Sequence, residues 1–288
     1  MSAVKYIRDY LPHVELKLWV PEFFVEMAKH LVPEIEVVSF TERQIFQKEY
    51  GSVVTACQQH DTMSTHLVDH AFHVLVNKQV EIEHKNYVKL RPEEIDVSRF
   101  NLPKEYVVMP TGFTAKVREF TPLLINQIVK YIKKKNYNIE IIFLGSNNAP
   151  VGGLADAIRG NFNTDIQYHK GINLINRTTL LESAAIIAGA KCILGVDNGL
   201  GHIAGTTEIP IVTAYTTVNP MHRMPYRHNQ LGWNCYNIIP DDSLECRFCK
   251  SNWNLVYNHD FRNCYYEDYK CKDQLYLDKW TKILDNIL

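Results

Sequence analysis

The chain lacks any apolar run approaching the roughly 18–20 residues of a membrane span, so no helical membrane segment is expected. It also lacks an excess of charge: 31 Lys and Arg against 32 Asp and Glu leave a net charge of -1. That balance argues against a large sequence-independent nucleic-acid footprint, which needs clustered cations. The short stretch Lys130-Tyr131-Ile132-Lys133-Lys134-Lys135 fits the solvated end of a helix, where cations complement the dipole. No Asp-x-Asp metal-binding pair occurs anywhere, and nothing is repeated or low in complexity. Met1 to Tyr6 carries no charged segment leading into a long apolar core, so a soluble cytoplasmic protein is expected.

What is present is globular: 46% hydrophobic and 22% charged residues over 288 positions, enough for two cores. From residue 104 the pattern alternates strands and helices, which implies a parallel sheet covered on both faces. Strands are expected at Tyr106–Met109, Ile139–Leu144, Asp165–Tyr168, Ile193–Val196 and Ile209–Tyr215. Helices are expected over about 119–135, from Thr178 to Gly189 with Thr179 and Glu182 as a capping box, and from about Gly201. Earlier come a helix Ala3–Tyr10, a strand Glu15–Val20, a helix Phe23–Leu31 and a strand Glu34–Ser39. The polar segment 90–103 fits a linker, dividing the chain into 1–103 and 104–272, with an amphipathic helix in 273–288.

The strongest local signal is Ile193-Leu194-Gly195-Val196-Asp197-Asn198-Gly199-Leu200-Gly201-His202, an apolar strand running into a turn with a carboxylate, an amide, glycines and an imidazole. Backbone N–H groups at the following helix start, with the dipole behind them, favour an anion, and a phosphate-bearing ligand is the natural candidate. Ligands in such sheets bind beyond the carboxyl ends of the strands, so Thr111-Gly112, Gly145-Ser146-Asn147 and Asp197-Asn198-Gly199 are expected to line one cleft.

Two further clusters stand out. His66, His70 and His73 share one helical face, which fits either a metal site or, more simply, a hydrogen-bonded face. Cys246, Cys249, Cys264 and Cys271 have a spacing that fits a closed four-thiolate zinc, structural and without catalytic role, stapling a finger over 244–272. Reduced packing thiols are the alternative.

Taken together, these residues resemble glycosyltransferase family 9, the lipopolysaccharide heptosyltransferases, over most of the chain. Gly195 to Ala204 is similar to the family's D-[ST]-G-x-x-H-x-A donor motif, with Asn198 in place of the hydroxyl residue. Pro110-Thr111-Gly112-Phe113-Thr114-Ala115-Lys116-Val117-Arg118 resembles the strand-end segment whose small polar residue and lysine approach the nucleotide diphosphate. Ile209 to Tyr215 and Asn219-Pro220 match the family's strand and turn after the histidine motif, and Ala3 to Pro12 resembles its first helix.

The resemblance implies an α/β GT-B fold: two Rossmann-like domains facing a cleft, the N-terminal one shortened, with the last helix crossing back onto it. It implies a metal-independent, inverting transfer from a nucleotide-diphosphate sugar, with Thr111, Gly112, Lys116, Arg118, Asp197, Asn198, Gly199 and His202 at the donor. Lys116 would meet the leaving charge, and its loss should cost on the order of tenfold to a hundredfold. Family members place a base in a Gly-Asp turn ahead of the first helix, a turn this chain starts after, so Asp61 and Asp69 stand as its substitutes. The implied acceptor is a saccharide such as lipopolysaccharide core. An abundance of Lys, Asn, Ile and Tyr raises a second acceptor, hydroxymethylated bases of phage DNA. Two non-enzymatic alternatives are a degenerate nucleotide-sugar-binding module and a nucleic-acid-binding zinc module.

Overall fold

The structure, a computed structural model, describes residues 1–39, 65–77, 79–85, 88–111, 116–146, 171–251, 264 and 266–288. The N-terminal body opens with α1 (Ser2–Tyr10), followed by β1 (Lys17–Val20), a 3-10 turn Glu22–Phe24, α2 (Val25–Leu31) and β2 (Glu36–Ser39). β1 and β2 pair in parallel, Lys17 opposite Glu36. Then come α3 (Leu67–Val76), which packs on α1, and the short α4 (Ile82–Lys85).

Among the described residues, the second body holds a six-stranded parallel sheet. Its strands are β3 (Tyr106–Pro110), β4 (Glu140–Leu144), β5 (Ile172–Asn173), β6 (Ile193–Val196) and β7 (Ile211–Ala214); a small antiparallel pair, β8 (Tyr226–Arg227) and β9 (Gln230–Leu231), precedes the edge strand β10 (Cys235–Ile238). The spatial order is β10-β7-β6-β3-β4-β5. The chain therefore winds from β3 outward to β5, returns to the other side of β3, and winds outward again to β10. This is the Rossmann order, and its reversal between β3 and β6 opens a crevice at their carboxyl ends. Central strands buried on both faces need continuous apolar sequence, and β3, β6 and β7 are buried at every position.

The covering helices have clear start signals. α5 (Pro122–Lys135) begins at Thr121, whose hydroxyl accepts from the Leu124 N–H at 3.2 Å, and has Pro122 in its first turn. It ends on Lys133, Lys134 and Lys135, as the dipole favours, and buries Leu124, Ile125, Ile128, Val129 and Ile132. α6 (Leu180–Ala188) carries the complete Thr179/Glu182 capping box. α7 (Gly199–Ala204) has six residues and is capped by Asn198, whose side-chain oxygen accepts from Gly201 N–H at 3.0 Å.

Several expectations shift. The strand beside β4 lies at 172–173, while the expected 165–168 falls outside the described residues. β10 extends the sheet where no strand was expected. The polar segment 90–103 is tied to both bodies: Leu90 N–H donates to Thr206 O, Arg91 Nη2 to His30 O, and Arg99 pairs with Glu182. After α8 (Lys270–Asp273), the last helix α9 (Leu277–Ile287) packs against α5 and β10, burying Trp280 and Leu284 in the sheet's core, rather than crossing back onto the N-terminal body. None of the described helices is long and apolar enough to cross a membrane.

Candidate active site

A cleft of about 1240 Å³ runs between the two bodies. One wall is N-terminal: Glu22, Phe23, Met27, Leu31 and Lys85. The other gathers the sheet's carboxyl-end turns, with Arg118, Gly145, Ser146, Asp197, Asn198, Gly199 and His202.

Asp197 is the organising residue of that second wall. It is buried at the end of β6. Arg118 Nη1 donates to its carbonyl oxygen at 3.0 Å and to Oδ2 at 3.4 Å. His202 Nε2, one turn into α7, stands 3.5 Å from Oδ1, and Arg223 Nε is 4.0 Å from Oδ2. Burial by itself pushes the Asp197 pKa up; the hydrogen bond from His202 and the Arg118 and Arg223 charges outweigh it and bring the value down to about 2. A permanently ionised carboxylate thus holds two guanidinium groups and an imidazole at the mouth of the β3/β6 crevice. Such fixed charges, aimed before a ligand arrives, can stabilise negative charge developing in a reaction at little reorganisation cost.

The remaining expected donor residues behave differently from one another. Thr111 is buried at the end of β3 and gives its hydroxyl proton to the Leu144 carbonyl at 3.3 Å, so that donor is spent inside the protein rather than on a phosphate. Asn198 lines the cleft, but its side-chain oxygen is the helix cap. A Cβ placed on Gly199 would meet nothing within 4 Å, so its surroundings leave room for a ligand. Gly112, Asn147 and the side chain of Lys116 lie outside the described residues. Arg118 is held in place by its own 3-10 turn, where the Val117 carbonyl accepts from the Thr216 hydroxyl at 2.8 Å.

Of the two carboxylates expected as bases, Asp61 lies outside the described residues. Asp69, on α3, pairs with Lys85 Nζ at 2.7 Å and accepts from the Tyr226 hydroxyl at 3.3 Å. Glu22, which sequence reasoning passed over, lines the cleft just beyond β1 and has no partner among the described residues.

Of the two readings of the histidine face, the hydrogen-bonded one describes His66, and no metal-holding group is found among the described residues. His66 is the cap of α3: its Nδ1 accepts from Val68 N–H at 3.1 Å, and its Nε2 bonds the Met224 carbonyl at 2.8 Å. With both ring nitrogens so committed, it is unavailable as a partner for His70 and His73.

The four cysteines are all free thiols, Cys264 and Cys271 buried and Cys246 and Cys249 partly so. Burial pushes the Cys271 thiol up to about 12, and the neighbouring Cys249, Cys246 and Cys264 add to it, so the four share one neighbourhood. Among the described residues, however, no group of three or more His, Cys, Asp or Glu is placed to hold a metal ion.

Two α/β bodies, one with Rossmann strand order, facing each other across a cleft floored by strand-end turns are the architecture of the GT-B fold. The chain belongs to glycosyltransferase family 9 (heptosyltransferase), whose family model matches residues 39–250. Its fold is similar to that of the dodecameric, iron-containing glycosyltransferase TibC from enterotoxigenic E. coli H10407, at 13% identity and a TM-score of 0.68, over 99% of this chain and 71% of that one. It is also similar to E. coli ADP-heptose lps heptosyltransferase II, at 13% identity and a TM-score of 0.55, over 84% of this chain and 86% of that one. Comparison with curated proteins finds no match.

Proposed function

We propose that this enzyme moves a heptose from ADP-heptose to an acceptor hydroxyl by a single inverting displacement, with no metal ion on the diphosphate. The observation that carries this reading is the Arg118–Asp197–His202 cluster at the strand-order reversal, facing a second body across the cleft. ADP-heptose is chosen because TibC has been solved in complex with ADP-D-beta-D-heptose and heptosyltransferase II is named for that donor. The acceptor is a saccharide such as lipopolysaccharide core; nothing among the described residues favours DNA. Residues 1–103 make the acceptor side, and 104–272 the donor side.

In this reaction the acceptor oxygen bonds to the anomeric carbon as the bond from that carbon to the diphosphate oxygen breaks, and the electron pair leaves with the diphosphate. Arg118, Lys116 and the Asn198–Gly199 turn meet that charge, while Asp197 orients Arg118 and His202. The acceptor proton passes to a carboxylate of the N-terminal body. Asp61 and Asp69 remain assigned to this task, and Glu22 joins them because it is unpaired among the described residues and lines the cleft. The four thiols are a soft donor set of the kind that holds a structural zinc or iron, and Cys264 packs against Val117, so a metal there would brace the turn that carries Arg118.

The test is nucleoside diphosphate release from ADP-heptose and a panel of other nucleotide sugars, with and without lipopolysaccharide core acceptors. Release is expected from ADP-heptose when acceptor is present, and the base is the carboxylate whose amide variant, Asp61→Asn, Asp69→Asn or Glu22→Gln, loses kcat by about a hundredfold or more. Donor binding without release under any acceptor would reduce the chain to a binding module, and no binding across the panel would sink the reading. Elemental analysis expects about one zinc or iron per chain, since four thiolates complete a tetrahedral site; metal-free protein with four titratable thiols overturns that part.

A further inference from the structure

The turn after β7 contains a buried cation that the donor motif does not include. Asn219 caps a 3-10 turn, Pro220–His222, its side chain accepting from Met221 N–H at 3.0 Å, and the Arg223 and Met224 N–H groups both fold back onto the Pro220 carbonyl. Arg223 emerges from this braced turn 9% exposed, lines the cleft, and brings its Nε to 4.0 Å from the same Asp197 oxygen that Arg118 approaches. Two guanidinium groups, one from the turn after β3 and one from the turn after β7, therefore border one spot at the floor of the crevice. A pair of planar cations there suits an anion with two phosphoryl groups better than one.

The next residue ties this turn to the opposite body. Met224 O accepts from His66 Nε2 at 2.8 Å, while Nδ1 of the same ring caps α3, which fixes the neutral Nε2–H tautomer. Burial lowers the His66 pKa and so favours that neutral ring, with Lys85 and Arg223 acting in the same sense and the Met224 carbonyl and Asp69 opposing. Two residues on, Tyr226 reaches Asp69 on α3 and packs its ring against His66 at 4.6 Å.

We propose that Arg223 is a second guanidinium on the leaving diphosphate and that His66, by holding the Met224 carbonyl, positions it. The proposal deepens the donor reading above and rests on it. Calorimetry with ADP and AMP tests both parts. Arg223→Met is expected to weaken ADP ten- to a hundredfold and AMP less than threefold, and Arg223→Lys to recover most of the loss. His66→Asn retains a capping oxygen for Val68 but is too short to reach Met224; it is expected to weaken ADP three- to tenfold in the wild type and not at all in the Arg223→Met background. Should Arg223→Met fail to fold, Arg223→Gln carries the same expectation. Equal losses for ADP and AMP, or none, overturn the role of Arg223, and a His66→Asn loss that persists without Arg223 overturns the positioning. A wild type that binds neither nucleotide brings down the donor reading, and this proposal with it.

Discussion

Asp197 is a buried carboxylate with two guanidinium neighbours and an imidazole, and its charge therefore bears on stability as well as on ligand binding. Its folded pKa of about 2 lies below the ordinary 3.8, so between those values the unfolded chain binds more protons than the folded one. Stability from this group is complete above the ordinary value and is lost as the pH falls through the folded one, an acid limb worth about 2 kcal/mol. Asp197→Asn removes the negative partner of buried cations and is expected to cost about 3–5 kcal/mol in urea unfolding at pH 7, while flattening that limb. A variant as stable as the wild type at pH 7 would show that Asp197 does not hold the cluster. Asp197, His202 and Arg118 were legible in the sequence because each belongs to a spaced pattern at a strand end. Arg223 was not, since a single arginine in a polar turn carries no period, and its burial arises only from contacts distant in the chain. The capping role of His66 was hidden for a different reason: a histidine nitrogen in place of the usual Ser, Thr, Asp or Asn cap leaves a helix start that resembles helix interior.

Elements with continuous apolar sequence or strong caps, such as β3, β6, α5 and α6, stand where the pattern placed them. The edge strand β10 escaped because Cys235-Tyr236-Asn237-Ile238 neither alternates nor runs apolar; its place comes from parallel pairing with β7, whose register sets Cys235 opposite Ile211. The last helix was legible as amphipathic, but amphipathicity does not name the surface it covers. That surface is formed by α5 and β10: Trp280 is fully buried there, stands edge-on to Phe120 at 5.2 Å, and donates Nε1–H to the Leu275 carbonyl at 3.2 Å. Trp280→Ala leaves a cavity in the main core and is expected to cost about 3–5 kcal/mol by chemical denaturation, with the donor pocket retained in whatever fraction stays folded. A cost under about 1 kcal/mol would mean that α9 is docked loosely and that the sheet's core closes without it.

At the scale of the whole molecule, the two bodies are joined by an apolar cluster and not by a linker alone. Met27, Ala28 and Leu31 of α2 share one buried cluster with Ala184 of α6, and Leu180, Leu181 and Ile203 pack against it. This seam lies beside the cleft, since Met27, Leu31, Leu180 and Leu181 also line it, so the geometry of the two walls depends on that packing. A shared core makes unfolding of one body expose apolar surface on the other, and calorimetry of the wild type is expected to give a single cooperative transition. Ala184→Asp places a charge at a fully buried seam position with no cation supplied to meet it. The expected outcome is two separated transitions, with the N-terminal body melting first: among the described residues it holds a two-stranded sheet, with less surface to bury than the six-stranded one. If the variant still melts in one transition at the wild-type temperature, the seam does not couple the bodies, and the alignment of the two walls must come from polar ties such as the 90–103 strap, the His66–Met224 bond and the Tyr226–Asp69 bond.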